Sequence, residues 1–222
     1  GNHNLNIKYM GSDTGTGIGI LFENKQEFSI TNNNNILVDN SVDSSGIVAG
    51  IYLREENDLV NNGNISHIGG KYYGIISDKS SILNNGIITT GQAGLEGGTA
   101  IYAKDPGYTG GNITTDSDKI IVNGNNSVGI HMVTTSSFKN DGSQKSDMLV
   151  LNGSIPLTVD GDNSIGIIVE NKNEDINANF DPYIIMQSGI NLISSADVSK
   201  RKIGFMQLGD VAVNFSSTID IN

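Results

Sequence analysis

The sequence predicts an all-β chain wound into a right-handed parallel β-helix, a solenoid of about seven coils with three short strands per coil. Three observations predict it. A five-residue motif recurs seven times along the chain. Asn-Gly pairs, which favour tight turns, recur between its copies. No stretch of ten or more residues carries the apolar period of a helix.

The motif copies are IGILF at 18–22, AGIYL at 49–53, YGIIS at 73–77, TAIYA at 99–103, VGIHM at 128–132, IGIIV at 165–169 and IGFMQ at 203–207. The small residue falls at Gly19, Gly50, Gly74, Ala100, Gly129, Gly166 and Gly204, at intervals of 31, 24, 26, 29, 37 and 38 residues. Each copy is a short run of β-forming residues, which reads as a strand. Side chains alternate faces along a strand. The residue after the small one is Ile20, Ile51, Ile75, Ile101, Ile130, Ile167 and Phe205, an aliphatic column that must face inward. Strict alternation then turns positions −1 (Ile18, Ala49, Tyr73, Thr99, Val128, Ile165, Ile203) and +3 (Phe22, Leu53, Ser77, Ala103, Met132, Val169, Gln207) inward as well. The small residue and position +2 are left facing out.

Two further elements separate the copies. One is an apolar pair followed by Asn-Asn-Gly, in LVNNGNI at 59–65 and ILNNGII at 82–88, with an echo in FKNDGS at 138–143. The other is a strand ending in Asn or Asp and Gly, in IIVNGNNS at 120–127 and LTVDGDNS at 157–164. Length variation then sits in corner loops near 104–112, 134–147 and 170–183. An antiparallel β-sandwich is the competing architecture, since short, regularly spaced strands fit it too. Recurrence of one motif seven times favours the solenoid, in which stacked coils hold equivalent residues in register. The whole of 1–222 reads as one such domain, a fragment of a longer chain.

Position +2 is Leu21, Tyr52, Ile76, Tyr102, His131, Ile168 and Met206, an outward row rich in aromatic and aliphatic side chains. A solvated outer row should be polar. Either corner loops fold over it, or it is a stripe on which a partner lies. The binding candidates are therefore Tyr52, Ile76, Tyr102 and His131, with Tyr108 and Tyr183 as candidates in the corner loops. A glycine column beside the row would leave a shallow groove.

Composition narrows the chemistry. The net charge of −11 opposes binding to nucleic acid or anionic lipid. No run approaches a membrane span in length, and no charged-then-apolar leader opens the chain. With no cysteine, disulfides and thiolate zinc sites are excluded, a composition suited to passage through an oxidising compartment. Gly (28) and Asn (29) make turns frequent. Candidate carboxylates are Asp160 and Asp162, Asp116 and Asp118, and Glu55 and Glu56. Both Asp pairs lie in turn-like stretches, where backbone chemistry explains them. His3, His67 and His131 lack metal-ligand spacing. Calcium would be the best-suited metal, yet the Gly-rich calcium nonapeptide is absent. Gly-Thr-Gly-Ile-Gly at 15–19 belongs to the repeat and precedes no helix, so it is not a phosphate loop. No catalytic residues, no metal and no cofactor are expected.

Coils reading Asn-Asn-Gly-x-Ile, a strand, then Asn-Ser-x-Gly-Ile resemble the repeats of autotransporter (type V secreted) passenger domains, in particular the large repeat adhesins of Gram-negative anaerobes. LVNNGNI, ILNNGII, NNSVGIHM and DNSIGIIV carry the likeness, over most of residues 16–207. The resemblance implies display at the outer membrane or secretion, through a C-terminal membrane β-barrel elsewhere in the full-length chain. It implies attachment to a protein or glycan on host or bacterial cells, or service as the stalk that presents such a site. A carbohydrate-active β-helix enzyme, a polysaccharide lyase or glycosidase, is the alternative.

Overall fold

The computed structural model describes residues 4–8, 17–23, 28–39, 48–68, 72–116, 119–136, 142–143, 145, 147–153, 157–173, 182–187, 189–193, 200–215 and 219–221. Its strands form three sheets, of eight, seven and seven strands, and every pairing is parallel. Successive strands visit the three sheets in turn, and each sheet pairs every third strand of the chain. This is a parallel β-helix with three strands per coil, as the repeat predicts. A 3₁₀ turn, Pro106–Thr109, follows the strand Thr99–Lys104.

The ladder sheet holds the seven motif copies: Gly17–Glu23, Val48–Arg54, Tyr73–Asp78, Thr99–Lys104, Val128–Thr134, Ser164–Asn171 and Lys202–Leu208. Its register aligns Ile20, Ile51, Ile75, Ile101, Ile130, Ile167 and Phe205 across six interfaces. The five isoleucines from Ile51 to Ile167 are fully buried. The asparagine sheet, which includes Ser29–Asn32, Asp58–Asn61, Ile82–Asn84 and Ile113–Asp116, adds the inward column Leu59, Ile82, Ile113, Leu149 and Ile184. The closing sheet, which includes Asn35–Asp39, Ile65–Ile68, Ile88–Thr90, Ile120–Val122 and Leu157–Val159, adds Ile36, Ile65, Ile88 and Ile120. These columns meet in one core. Each fully buried aliphatic side chain stabilises the fold by about 1.5–3 kcal/mol before conformational entropy is subtracted.

Strict alternation fails at one place in each ladder strand. The small residue and the isoleucine after it both face inward. A Cβ built on Gly50 would lie 3.3 Å from Ile65 Cγ2 and 3.5 Å from Ile36 Cγ2, both core atoms of the closing sheet. A Cβ on Gly129 would meet Val122 and Ile120, and one on Gly166 would meet Leu157 and Val159. The ladder pairing skips this residue, running from Ala49↔Tyr73 directly to Ile51↔Ile75. Two successive inward residues kink the strand where it follows the closing sheet. Position −1 is thereby turned outward: Tyr73, Thr99, Val128 and Ile165 are half-buried and Ile203 is exposed, although Ala49 is buried. The expected inward column at −1 is corrected accordingly. So is the expected outer groove, because the glycines line the inside of the corner.

Position +3 behaves as expected in the middle coils. Leu53, Ser77, Ala103, Met132 and Val169 are fully buried, while Phe22 is half-buried and Gln207 is exposed.

The Asn-Asn-Gly corners stack as hydrogen-bonded ladders. The first asparagine points inward. Asn32 Nδ2 donates to Asn61 Oδ1 (2.7 Å), Asn61 Nδ2 to Asn84 Oδ1 (2.7 Å), and Asn84 Nδ2 to Thr115 Oγ1 (3.1 Å). Each of these asparagines also donates to a carbonyl two residues on, at Asn34, Gly63 or Gly86. The second asparagine makes an exposed ladder, Asn85 to Asn62 (2.9 Å) and Asn62 to Asn33 (2.8 Å). The echo at 138–143 falls largely outside the described residues.

Candidate functional site

The outward row forms as the self-alignment of the sequence places it. Leu21, Tyr52, Ile76, Tyr102, His131, Ile168 and Met206 are register partners from coil to coil. Coil stacking sets adjacent members about 4.8 Å apart along the sheet. Tyr52, Tyr102, His131 and Met206 are partly exposed, and Leu21 is 47% exposed. Ile76, between Tyr52 and Tyr102, is only 6% exposed, and Ile168, between His131 and Met206, only 9%. The aromatic members are the accessible part of the row.

The kink at the glycine adds a member that alternation had placed inside. The Tyr73 ring meets the Tyr102 ring edge-on, with centroids 5.9 Å apart. The Tyr102 ring meets His131 edge-on at 5.2 Å. Tyr73, Tyr102 and His131 are thus one continuous aromatic cluster across three coils. Burial lowers the His131 pKa, and the neighbouring Glu170 carboxylate, 3.4 Å from Nε2, partly offsets this. Burial raises the Tyr102 phenol, so its hydroxyl stays protonated through the neutral range.

A charged row flanks the aromatic one. Two residues past the +2 row stand Glu23, Arg54, Asp78, Lys104, Val133 and Glu170. Arg54 pairs with Glu23, Lys104 with Asp78 (3.5 Å), and Glu170 with Lys172 (3.2 Å). These partly exposed pairs neutralise one another and contribute little stability. They edge the aromatic cluster with polar groups of both signs.

The other candidates do not join this face. Tyr108 lies in the 3₁₀ turn at 106–109, with Lys79 Nζ 4.6 Å above its ring. Tyr183 is not in a loop: it opens the strand Tyr183–Met186 of the asparagine sheet and pairs with Met148. Much of the expected loops at 134–147 and 170–183 lies outside the described residues.

Asp116, expected in a turn, instead closes the strand Ile113–Asp116 and pairs with Asn152; Glu55, Glu56, Asp160 and Asp162 serve turns. Glu55 and Glu56 adopt positive φ (63° and 35°) directly after a ladder strand. Asp160 and Asp162 sit at a corner, with backbone N–H bonds to Val122 O (2.8 Å) and Asn125 Oδ1 (3.0 Å). Their side chains also line a polar cavity of about 310 Å³ with Asn123, Asn125, Lys200 and Lys202. There Lys200 pairs with Asp162 (2.9 Å) and Lys202 with Asp160 (3.7 Å). A second cavity, of about 420 Å³ along Leu37, Ser66 and Thr89, carries no charged side chain. Among the described residues no three His, Asp or Glu side chains converge as metal ligands. Asp118 and His3 lie outside the described residues.

Two buried polar groups escaped the sequence reading. His67 faces the interior, 3% exposed, in register with Val38 and stacked on the Tyr72 ring at an interplanar angle of 6°. The alternation in ISHI at 65–68, Ile in, Ser out, His in, carried that signal. The second group, Asp105, Lys145 and Asp147, is assembled from two segments forty residues apart and left no local trace.

No protein-family model matches the chain, and comparison with curated proteins and with solved structures finds no significant relative.

Proposed function

We propose that this chain is an adhesive segment of a secreted or surface-displayed β-helix, which binds a protein or glycan on another cell rather than turning over a substrate. The observation that carries the reading is the Tyr73–Tyr102–His131 cluster, continued by Tyr52 along the outward row. Aromatic side chains bordered by balanced charge suit recognition of a protein surface or the apolar face of a sugar. A rigid stack of coils fixes the spacing of their backbones, which reduces the conformational cost of binding. The resemblance of the repeats to passenger domains supports display at the outer membrane of a Gram-negative cell, or release from it.

The test is a glycan array together with a pull-down from labelled cell surfaces. Saturable retention of a glycan class or surface protein is expected. A well-folded chain that binds nothing in either format contradicts the proposal and leaves a spacer role.

The polar corner cavity lends support to a second reading, a carbohydrate-active site. Asp160 and Asp162 face Lys200 and Lys202 there, the charge types that acid–base cleavage of an acidic polysaccharide needs. Release of reducing ends or unsaturated sugars from polyuronates, abolished by Asp160→Asn, would establish it.

A further inference from the structure

Lys145, Asp105 and Asp147 are buried together at the end of the Thr99–Lys104 coil. Their side chains are 1%, 1% and 0% exposed. Lys145 Nζ donates to Asp147 Oδ1 (2.6 Å) and to Asp105 Oδ1 (3.2 Å). One amine and two carboxylates in so dry a place carry an uncompensated negative charge, which water no longer screens. Burial accordingly raises the carboxyl pKa of Asp147, even with Lys145 beside it.

The two carboxylates are held differently. Asp147 accepts the Gly107 N–H at Oδ1 (2.8 Å) and the Thr134 hydroxyl at Oδ2 (2.6 Å). Asp105, itself at φ 48°, accepts at Oδ1 from the N–H groups of Thr135 (2.8 Å) and Ser136 (3.1 Å), and at Oδ2 from the Thr135 hydroxyl. Two backbone N–H groups converging on one carboxylate oxygen are the arrangement that stabilises an oxyanion at a reacting carbonyl carbon. The nearby amine is the nucleophile such a carbon would meet, and the second carboxylate touches that amine.

We propose that Lys145 and Asp105 condense into an intramolecular amide that locks this corner, with Asp147 moving the proton. Asp147 Oδ1 takes a proton from the ammonium and frees the Nζ lone pair. The lone pair attacks Cγ of Asp105. The carbonyl π pair moves onto Oδ1, held by the Thr135 and Ser136 N–H groups. When the π bond re-forms, the Cγ–Oδ2 bond breaks and that oxygen leaves as water. Its two hydrogens come from Nζ, one of them through Asp147. An ammonium and a carboxylate become an amide and one water, with no oxidant or cofactor. Two opposite charges leave the interior, and Asp147 remains as the single ionisable group. The bond would close a forty-residue loop between sequence-distant parts of one coil.

The test is the intact mass of the purified full chain, with peptide mapping. The expected mass is one water below that of the sequence, with a branched peptide joining the Asp105 and Lys145 segments. Asp-Gly cyclisation also loses water, so the lysine variant makes the distinction. Lys145→Arg keeps the charge but cannot condense, and it should restore the full mass. Asp147→Asn should retain the uncondensed mass for hours after folding. The full sequence mass in the folded wild-type chain, or a water loss that survives Lys145→Arg, would overturn the proposal.

Discussion

His67 sits where a core aliphatic belongs. It fills an interior position of the closing sheet, and neither ring nitrogen has a hydrogen-bond partner. Burial lowers its pKa from the ordinary histidine value of 6.5 to about 3. Between those values the unfolded chain holds a proton that the folded chain excludes. Its stability contribution is therefore complete above pH 6.5 and is lost as the pH falls toward 3, with a slope of at most about 1.4 kcal/mol per pH unit. His67→Leu should flatten urea midpoints between pH 6.5 and 4, and should raise stability at pH 5 by removing two unsatisfied polar atoms. An unchanged pH profile in the variant would show that His67 is not the titrating group.

The glycines of the ladder sheet make a second residue-scale contrast. A Cβ at Gly74 would sit 2.5 Å from Ala100 O and 2.9 Å from Ile88 Cγ2, whereas one at Gly204 would find nothing nearer than 3.6 Å. Gly74→Ala should therefore cost about 1–3 kcal/mol in urea denaturation through overpacking, and Gly204→Ala should be close to neutral. Equal costs at both sites would refute an inward-facing glycine column.

At the level of elements, the Asn-Asn-Gly corner divides its two asparagines between inside and outside. Asn61 donates and accepts along the buried ladder and also closes onto Gly63 O. Asn62 makes the equivalent bonds in water. Asn61→Ala should lower stability by about 2–4 kcal/mol, because it strands Asn32 and Asn84, and Asn62→Ala by less than about 0.5 kcal/mol. Chemical denaturation of the pair measures the difference. The sequence allowed only half of this element to be read. Asn-Gly marked the turn, since left-handed backbone has a known residue preference. That the first asparagine turns inward depends on the stacking of equivalent corners, which no single corner reveals. The ladder strand divides in the same way. The Ile51–Ile75–Ile101 column and the Tyr52–Ile76–Tyr102 row were legible because seven copies align on one another. The inward glycine was not legible, because a kink suspends the alternation from which facing is inferred. Tyr73 consequently changed sides and joined the aromatic cluster.

For the whole molecule, each described strand pairs only with strands of the coils beside it, so stability is set mainly by neighbouring interfaces. The coils from Ile51 to Ile167 bury their ladder isoleucines fully, while Ile20 and Phe205 are only partly buried. Amide hydrogen exchange in this 222-residue chain should be slowest in Tyr73–Asp78, Thr99–Lys104 and Val128–Thr134, and fastest in Gly17–Glu23 and Lys202–Leu208. The same stacking turns the outward row into a single surface at fixed spacing. We propose that this surface binds and is not merely a lining for the fold. The most direct measurement compares the wild-type chain with the double variant Tyr52→Ser/Tyr102→Ser, reading thermal unfolding and attachment to whole cells on the same samples. Attachment should fall at least tenfold with Tm little changed. A variant that unfolds, or one that stays folded and attaches as well as the wild type, would contradict the claim.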